Sequence, residues 1–481
     1  MEHETTADRS RSAAKPAATL SRRGFAPAAG GALAAFAIAP RYVLGQGQTP
    51  PSDKLNIAGV GVGAMGGTFL ESCESENIVA LADVDFDFAA KTFARYPKAN
   101  TYRDFRRMLD TEKGIDAVVI GTPDHTHAVV ARAAIERGKH VYCAKPMTRT
   151  VYECRQVARA AREAKAATQM STQSCASESA CAVEELIQSG AIGAVREVHV
   201  WTDRPVWPQS LLRPADAPPV PSTLDWDLWL GPAPARPFHP LYHPFNWRGW
   251  HDFGTGALGD MALHTFHVVF RALKLGLPTS VGGSATVTCV PAAPGQADPS
   301  WSRIRKAGFP ETFPHSSIVT WDFPARGDLP PVRLHWYDGG LKPPRPVDMP
   351  AGQSLQAEGS YYVGDKGVLL IPSTGGGTWR AGAGPVSGLL PAAKFRDYAA
   401  PPKTVARTVG HYQEWIRAAK GGPPANCQFD FASLIAETAL LGAIAQRTGK
   451  YLLWDAANMR FTNDDEANRH VTPAYRAGWA L

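Results

Sequence analysis

The sequence predicts an α/β protein with two parts, a parallel sheet of βα units followed by a second domain rich in strands. Three observations support this. An apolar strand at residues 55–60 runs into a glycine-rich turn and then into helix-forming residues. Further strand–helix pairs follow to about residue 164, and alternating apolar and polar residues predict several strands beyond residue 195. A chain of 481 residues can hold two such domains, with predicted bounds of 53–173 and 174–481.

The composition excludes several classes of protein. Hydrophobic residues make up 44% and charged residues 20% of the chain, a balance typical of globular proteins. The net charge of +6 is modest, and no stripe of Lys and Arg with interleaved aromatic residues is present, so nucleic acid is not a predicted partner. The seven cysteines form no CxxC pair, which disfavours a zinc ribbon or a thioredoxin-like site.

Residues 1–52 are predicted to be a twin-arginine export signal with a linker. Arg22 and Arg23 precede an apolar run at residues 26–39, which is too short to span a bilayer comfortably. A charged segment before an apolar run is typical of export signals, and paired arginines indicate the twin-arginine type. We therefore expect the twin-arginine export machinery as a partner and a periplasmic or otherwise exported location, with the signal either cleaved or kept as an anchor. A disordered basic N-terminus is the alternative.

The glycine-rich turn has the form GxGxxG and lies between a strand and a helix. In this context the first glycine makes the tight turn, the second lets the backbone approach a pyrophosphate, and the third lets the helix pack on the strand. The helix N-terminus then offers N–H groups to the phosphates. The turn predicts dinucleotide binding by Gly61, Gly63, Ala64, Met65 and Gly66.

The ends of the following strands carry polar residues. Asp83 lies where an acid can accept hydrogen bonds from the adenosine ribose, which favours NAD over NADP, although Asp85 is a rival. Ligands of open parallel sheets bind beyond the carboxyl ends of the strands. The residues that follow the next two strands are therefore predicted to contact the cofactor, with local loop hydrogen bonds as the alternative: Thr122, Pro123, His127 and Lys145.

Several motifs together resemble the Gfo/Idh/MocA oxidoreductase family: IAGVGVGAMGG at 57–67, ALADVD at 80–85, TPDHTHA at 122–128, AKPM at 144–147 and GALGDMALH at 256–264. The resemblance implies a Rossmann domain followed by a domain with an open, mostly antiparallel sheet. It implies hydride transfer between a nicotinamide and a sugar, polyol or glycoside. Some relatives cleave glycosides by transient oxidation and reduction, and segments 411–422 and 447–463 resemble the exported, sugar-related branch.

The resemblance also implies three catalytic residues. Lys145 occupies the lysine position of the family, and Asp260 and His264 match its Asp and His, four residues apart on a helix. Oxidation of an alcohol requires removal of the hydroxyl proton, for which His264 can be the general base. Asp260 lies on the same helical face and can orient the imidazole or bind a substrate hydroxyl. Lys145 can stabilise negative charge on the substrate oxygen.

Two positions depart from the family pattern. Ala144 replaces the usual Glu, which removes a polar group near the nicotinamide half of the cofactor. His267 stands where relatives often have another residue, and it forms a helical stripe with Asp260 and His264. A metal site and a polar domain interface are alternatives for this stripe. We predict no metal there, because no fourth ligand from outside the helix is evident.

Residues 203–250 form a long segment rich in Pro, Trp and His. So many tryptophans argue against disorder, and most are expected to pack as a satellite core. Because aromatic faces stack on sugar rings, this region also supplies candidates for substrate contact. Together with His267 these are Arg204, Trp207, Arg248 and His251.

The rest of the second domain is predicted to contain strands at 279–290, 316–323 and 332–337, a hairpin at 361–370, and helices at 404–420 and 431–447. An exposed sheet face could pair two subunits, so a homo-oligomer is expected. Three functions fit these features. The first is an exported NAD(P)-dependent oxidoreductase with a tightly bound cofactor. The second is a redox-neutral glycoside hydrolase or lyase with bound NAD and a transient 3-keto sugar. The third, suggested by Ala144, is a non-catalytic sugar-binding relic of the fold.

Overall fold

A computed structural model describes residues 53–291, 304–307, 310–372, 388–472 and 474–481. The predicted export signal lies outside these residues. Lys54–Leu481 form one compact unit, which contains two sheets and the helices packed on them. All seven cysteines are free.

The first sheet has six strands, all parallel, in the order β3-β2-β1-β4-β5-β6. This is the strand order of the dinucleotide-binding fold. The strands are β1 Asn56–Val60, β2 Asn77–Ala82, β3 Asn100–Tyr102, β4 Ala117–Ile120, β5 His140–Cys143 and β6 Thr168–Met170. The helices are α1 Met65–Glu71, α2 Phe86–Arg95, α3 Phe105–Thr111, α4 Asp124–Glu136 and α5 Val151–Glu163.

Local sequence explains why these elements begin and end where they do. Strand β4 is a run of four buried apolar residues, as expected for a parallel strand covered on both faces. Helix α2 begins where the Asp85 carboxylate accepts from the N–H of Phe88. Helix α5 begins with a capping box between Thr150 and Glu153. The glycine turn thus lies between β1 and α1, as predicted.

The second sheet has nine strands in the order β15-β14-β13-β7-β12-β11-β8-β16-β17. Its strands are β7 Val195–Trp201, β8 Ser280–Ala285, β11 Ser317–Phe323, β12 Val332–Tyr337, β13 Gly359–Gly364, β14 Gly367–Ile371, β15 Leu389–Leu390, β16 Tyr451–Asp455 and β17 Arg460–Phe461. Within the described chain, β7 and β12 form its one parallel pair. The other pairs are antiparallel, so the expected open, mostly antiparallel sheet is confirmed.

The remaining elements surround this sheet. A separate antiparallel ribbon joins β9 Thr288–Pro291 to β10 Ile304–Ala307. The helices are α6 Glu178–Gln188, α7 Trp226–Leu230, α8 Gly256–Leu273, α9 His411–Ala419, α10 Phe429–Thr448 and α11 Asp465–Asn468.

One face of the nine-stranded sheet is covered by helices α8 and α10. Trp321 of β11 packs edge-on against Phe266 of α8 and donates from its indole N–H to the Thr438 carbonyl of α10. The opposite face carries the alternate side chains. Among them are Glu197 and His199 of β7 and His335 of β12. This second face lies outside the main core, and it also carries Trp201 and Tyr337 of a smaller apolar cluster.

Helix α10 joins the two sheets. Arg155 of α5 forms a bidentate ion pair with Glu437 of α10, with N–O distances of 2.7 and 2.6 Å. One apolar core includes Val118 and Val141 of the first sheet together with Trp336 of the second. Among the described helices, α10 is long and apolar enough to cross a membrane, with an 18-residue stretch of mean hydropathy 1.3, but 72% of that stretch is buried inside the protein.

Two predicted elements differ from the structure. The helix predicted at 404–420 begins only at His411, because Gly410 has a φ of +115°. Before it, Arg407 forms ion pairs with Glu178 and Glu185 of α6. The strand predicted at 279–290 is divided into β8 and β9.

Candidate active site

A cleft of about 850 Å³ opens at the carboxyl ends of β1, β4 and β5. Helix α8 and residues 226–248 form its other wall. The predicted cofactor residues that line this cleft are Gly61, Gly63, Ala64, Met65, Asp83, Thr122, Pro123 and Lys145. Asp260, His264 and Arg248 line it from the second domain.

The glycine turn lies at one end of the cleft. Gly61 has a φ of +72°, and a Cβ there would lie 2.6 Å from Thr122. Gly66 does not line the cleft, because it packs α1 against the turn and a Cβ would overlap the carbonyl oxygen of Gly61. At Gly61 and Gly63 the turn therefore presents backbone to the cleft, as a pyrophosphate requires.

Asp83 holds this turn in place. Its Oδ2 accepts from the N–H groups of Val62, at 2.7 Å, and Gly63, at 3.1 Å, and its Oδ1 accepts from Asp85 at 3.0 Å. A carboxylate has about four acceptor positions, so roughly one remains for a ribose hydroxyl. Burial raises the pKa of Asp83 to about 6, against the lowering effect of these hydrogen bonds.

The next two strand ends are held together by His127. Its Nδ1 lies 2.7 Å from the Pro146 carbonyl, and its Nε2 lies 2.7 Å from the Thr122 carbonyl. The prediction that His127 contacts the cofactor is not supported, because the ring is fully buried behind these loops. Thr122 does line the cleft, and its buried hydroxyl has no hydrogen-bond partner among the described residues.

The three residues implied by the family resemblance meet at the other end of the cleft. The Lys145 Nζ lies 2.7 Å from the Asp260 Oδ1. His264 lies one helical turn beyond Asp260 on α8 and lines the same space. Arg248 contacts the same carboxylate oxygen, with its Nε 3.4 Å from the Asp260 Oδ1. A lysine, an arginine and a carboxylate thus form one buried charged group beside a histidine.

Electrostatics fix the protonation states in this group. Burial favours protonation of Asp260, but the positive charges of Lys145 and Arg248 outweigh it and hold its pKa below the usual range. Burial, reinforced by Lys145, lowers the pKa of His264 to about 4. At neutral pH Asp260 is therefore a carboxylate and His264 is a neutral imidazole that can accept a proton.

Asp124, which follows the end of β4, also lines the cleft. It is 3% exposed, and its Oδ2 accepts from the Thr255 hydroxyl at 2.7 Å. Burial, with a contribution from the Asp260 charge, raises its pKa to about 7. Its place at the start of α4, at a strand end, is where open parallel sheets bind ligands.

Of the predicted substrate residues, only Arg248 lines the cleft. Its guanidinium lies 4.3 Å from the Trp247 ring centroid and 4.4 Å from that of Phe245, a double cation–π contact. Trp207 lies behind them, where its indole N–H donates to Gln209 at 3.0 Å and its ring meets Phe245 edge-on. Trp207 therefore supports Arg248 rather than facing the cleft.

The other three substrate candidates lie elsewhere. Arg204 is held near the end of β7, where its Nε lies 3.8 Å from Glu358. His251 is buried against Phe313, with ring centroids 4.1 Å apart. His267 packs against Phe431, with centroids 5.0 Å apart. Seven residues along a helix is an axial rise of about 10 Å from Asp260, which carries His267 past the cleft.

A loop whose position could not be predicted covers the far end of the cleft. This covering loop, residues 223–250, pairs with the β2–α2 connection. The His243 Nε2 lies 2.9 Å from the Asp85 Oδ2, and the N–H of Asp225 donates to the Val84 carbonyl at 2.8 Å. Arg103 completes the contact by donating to the Thr223 carbonyl at 2.7 Å.

The tryptophans of this loop form the satellite core that was expected. Trp226 and Trp229 stack with centroids 4.6 Å apart, and Phe253 meets Trp229 edge-on at 4.9 Å. Trp229 and Trp247 also line the cleft, together with Trp479 from the C-terminal segment. The loop is therefore a packed structure anchored on the first domain.

The residues present fit a dinucleotide. The glycine turn lines one end of the cleft, the buried Thr122 hydroxyl has no hydrogen-bond partner among the described residues, and Lys145 and His264 line the same cleft. The fold and the cleft define a two-domain protein of the Rossmann dinucleotide-binding class. Two family models then match the chain. Residues 55–172 match the NAD-binding Rossmann fold of the GFO_IDH_MocA oxidoreductase family, and residues 182–280 match its C-terminal alpha/beta domain. The chain is therefore similar to this family over these two segments.

Known dehydrogenases are similar to part of the chain. Levoglucosan dehydrogenase of Pseudarthrobacter phenanthrenivorans is 29% identical over 185 residues, which cover 38% of this chain and 39% of the relative. Inositol 2-dehydrogenase 1 of Saccharopolyspora erythraea is 32% identical over 104 residues, which cover 21% of this chain and 31% of the relative. The chain therefore matches well under half the length of either relative.

Among solved structures, the WlbA dehydrogenase from Bordetella pertussis in complex with NADH and UDP-GlcNAcA has a TM-score of 0.53. It is 15% identical, and the alignment covers 84% of this chain and 98% of that one. At this identity the likeness concerns the fold.

Proposed function

We propose that the protein is an NAD-dependent oxidoreductase that transfers hydride between a nicotinamide and a hydroxyl-bearing carbon of a sugar, polyol or glycoside. The observation that carries the proposal is the contact of Lys145 with Asp260 at 2.7 Å beside His264, in the cleft that also contains the glycine turn. The family match and the sugar and polyol dehydrogenases among the relatives support it.

The first domain would hold the cofactor. The turn at Gly61 and Gly63 receives the pyrophosphate, and Asp83 keeps an acceptor position for the adenosine ribose, which favours NAD. When bound, the nicotinamide accepts or returns the hydride. Thr122 offers its free hydroxyl from the neighbouring strand end.

The residues of α8 and Lys145 would act on the substrate hydroxyl. His264 is neutral and takes the proton from the oxygen as the carbon loses its hydride. The Lys145 ammonium stabilises the negative charge that develops on that oxygen. Asp260 holds the ammonium in place and, with Arg248, offers polar groups to neighbouring hydroxyls. This arrangement argues against a purely non-catalytic role, despite Ala144.

The covering loop favours a second candidate, redox-neutral cleavage of a glycoside. Its contacts between His243 and Asp85 close the adenosine end of the cleft, which suits a cofactor retained through the cycle. Oxidation of one sugar carbon to a ketone acidifies the adjacent C–H. Loss of that proton expels the glycosidic alcohol, water adds to the resulting double bond, and return of the hydride restores the hydroxyl. The net reaction is hydrolysis.

One set of assays separates these functions. The full-length protein is purified, and nucleotide released on denaturation is identified by mass. Native protein is then incubated with levoglucosan, myo-inositol and aryl glycosides, with and without added NAD, while reduced nicotinamide and released phenol are recorded. The oxidoreductase produces reduced nicotinamide in proportion to added NAD. Phenol release without added NAD identifies the redox-neutral reaction. Failure to contain or bind any nicotinamide nucleotide would reject both.

We also propose that the protein is exported through the twin-arginine route by residues 1–52. Substitution of Arg22 and Arg23 by Lys is expected to retain the protein in the cytosolic fraction. Unchanged fractionation of that variant would reject the proposal.

A further inference from the structure

Three metal-binding side chains meet on the face of the nine-stranded sheet opposite α8 and α10, away from the cleft. His199 of β7 and His335 of β12 are direct partners in the parallel pairing of these strands. Glu197 lies two residues before His199 and so on the same face. The Nε2 atoms of both histidines lie 3.0 Å from the Glu197 carboxylate. The three ligand atoms all lie within 4.8 Å of one another.

Hydroxyl groups orient both imidazoles through the Nδ1 atom of each ring. The His199 Nδ1 lies 3.1 Å from the Tyr337 hydroxyl, and the His335 Nδ1 lies 2.9 Å from the Thr320 hydroxyl. Metal-bound imidazoles usually donate their other N–H to an oxygen, which fixes the ring and its tautomer. The two rings are parallel, with centroids 4.6 Å apart, and Tyr361 stacks on the outer face of His199 at 4.4 Å. Both Nε2 atoms are thereby directed at the same carboxylate.

The charges around the group suit a cation. The His199 side chain is only 7% exposed, so its ring is held within this face of the sheet rather than in solvent. Arg333, a cation on the same strand as His335, is neutralised by Asp322 at 2.7 Å. Glu197 supplies a carboxylate whose side chain is 42% exposed, which gives an ion access from solvent.

We infer that Glu197, His199 and His335 form a binding site for a zinc-type divalent metal ion. Two imidazole nitrogens and one carboxylate oxygen are ligands that zinc takes in proteins, and they leave a fourth position for water. Zinc–ligand bonds are about 2.0–2.2 Å long. The three ligand atoms must therefore move toward a common centre when the ion binds. The ion would join β7 to β12, the parallel pair at the centre of the sheet, where strand pairing is slightly weaker than in antiparallel pairs.

Zinc binding by the full-length protein tests this inference. The protein is stripped with EDTA, dialysed and titrated with ZnCl2. Bound zinc is measured by calorimetry and elemental analysis, and the melting temperature is recorded with and without the ion. We expect one zinc per chain and a higher melting temperature in its presence. Glu197→Gln, His199→Gln and His335→Gln are each expected to weaken zinc binding at least tenfold and to abolish the rise.

Two control variants show where the ion binds. His315→Gln removes an exposed imidazole elsewhere, and His264→Gln removes the histidine of the cleft. Both are expected to bind zinc as the unaltered protein does. Circular dichroism of the zinc-free variants checks that each is folded, and Glu197→Gln keeps the side-chain size should the histidine variants unfold. No zinc binding by the unaltered protein, equal binding by folded Glu197→Gln, or loss of the ion only in His264→Gln would overturn the inference.

Discussion

His264 illustrates how surroundings at the residue scale decide a chemical role. An isolated histidine titrates near pH 6.5, but burial beside Lys145 lowers the pKa of His264 to about 4. The ring therefore remains a proton acceptor through the whole neutral range. Its base form is lost only when the pH falls through about 4.

Replacement of this base tests the proposed chemistry. His264→Gln is expected to lower kcat/KM for alcohol oxidation by about 10²- to 10⁴-fold, the usual contribution of general base catalysis. In the unaltered enzyme the acid limb of kcat/KM assigned to His264 should lie near pH 4, with no further inflection from this group at pH 6–7. His267→Gln is the matched control, because that residue lies on the same helix but away from the cleft, and it should retain most activity. Equal loss in both folded variants would contradict the assignment.

Asp124 gives a prediction about stability. Its pKa is about 7 in the folded protein and about 3.9 in an unfolded chain. Between these values the folded state keeps a proton that the unfolded state releases, so this group lowers the free energy of unfolding as the pH rises from about 4 to about 7. Asn cannot ionise and can still accept from Thr255.

Asp124→Asn should therefore gain stability over the unaltered protein as the pH rises through this range. The relative gain is on the order of 2–4 kcal/mol, from 1.36 kcal/mol per pKa unit. Urea unfolding of both proteins at pH 4.5 and 7.5 measures this gain in the free energy of unfolding. Because the two proteins share every other titratable group, the difference between them reports on Asp124. The same pH dependence in both proteins would show that Asp124 is ionised in the fold.

Site residues could be predicted where a motif fixes their local geometry. Gly61 and Gly63 were identified because a strand–turn–helix sequence determines backbone conformation within a few residues. Arg204, His251 and His267 were predicted from residue type and spacing, but their positions depend on packing between distant segments. His267 shares a helical face with Asp260, yet two helical turns separate them.

At the scale of elements, the covering loop is the feature that the sequence did not reveal. Its composition predicted aromatic packing, which the stacked Trp226 and Trp229 show. The pairing of Thr223–Asp225 with the β2–α2 connection could not be predicted, because it joins segments about 140 residues apart that share no motif. Through this contact the second domain packs on the first domain beside the glycine turn.

Loosening the covering loop should shorten the residence time of the cofactor. His243→Ala removes the contact with Asp85 at 2.9 Å. A hydrogen bond contributes about 0.5–1.5 kcal/mol, so the dissociation rate of NAD should rise about three- to tenfold, measured by stopped-flow displacement. His239→Ala, in the same loop but without this contact, is the control and should leave the rate unchanged. An unaltered rate in His243→Ala would show that the loop does not retain the cofactor.

At the scale of the whole molecule, the two sheets share one core. Helix α10 packs against both α5 and the second sheet, and the apolar cluster around it includes residues of both. The repeated βα units predicted that the first sheet is parallel, as the structure shows. The nine-stranded order could not be predicted, since its neighbours are distant in sequence, such as β8 and β16.

Shared packing predicts cooperative unfolding. Residues 54–481 should give one calorimetric transition, because separation of the sheets would expose Val157 and Ala161 of α5 together with the apolar face of α10. A fragment of residues 54–173 should show no cooperative transition by itself. Two resolved transitions, or a fragment that folds cooperatively, would contradict this.

Trp229, Trp247 and Trp479 all line the cleft. Tryptophan emits light at wavelengths that a reduced nicotinamide absorbs, and energy passes efficiently between such groups when they lie in one small cavity. Excitation of the protein should therefore produce nicotinamide emission and quenched tryptophan emission whenever the reduced cofactor is bound. The molecule contains its own optical reporter of occupancy and redox state, so binding and turnover can be followed without any attached dye.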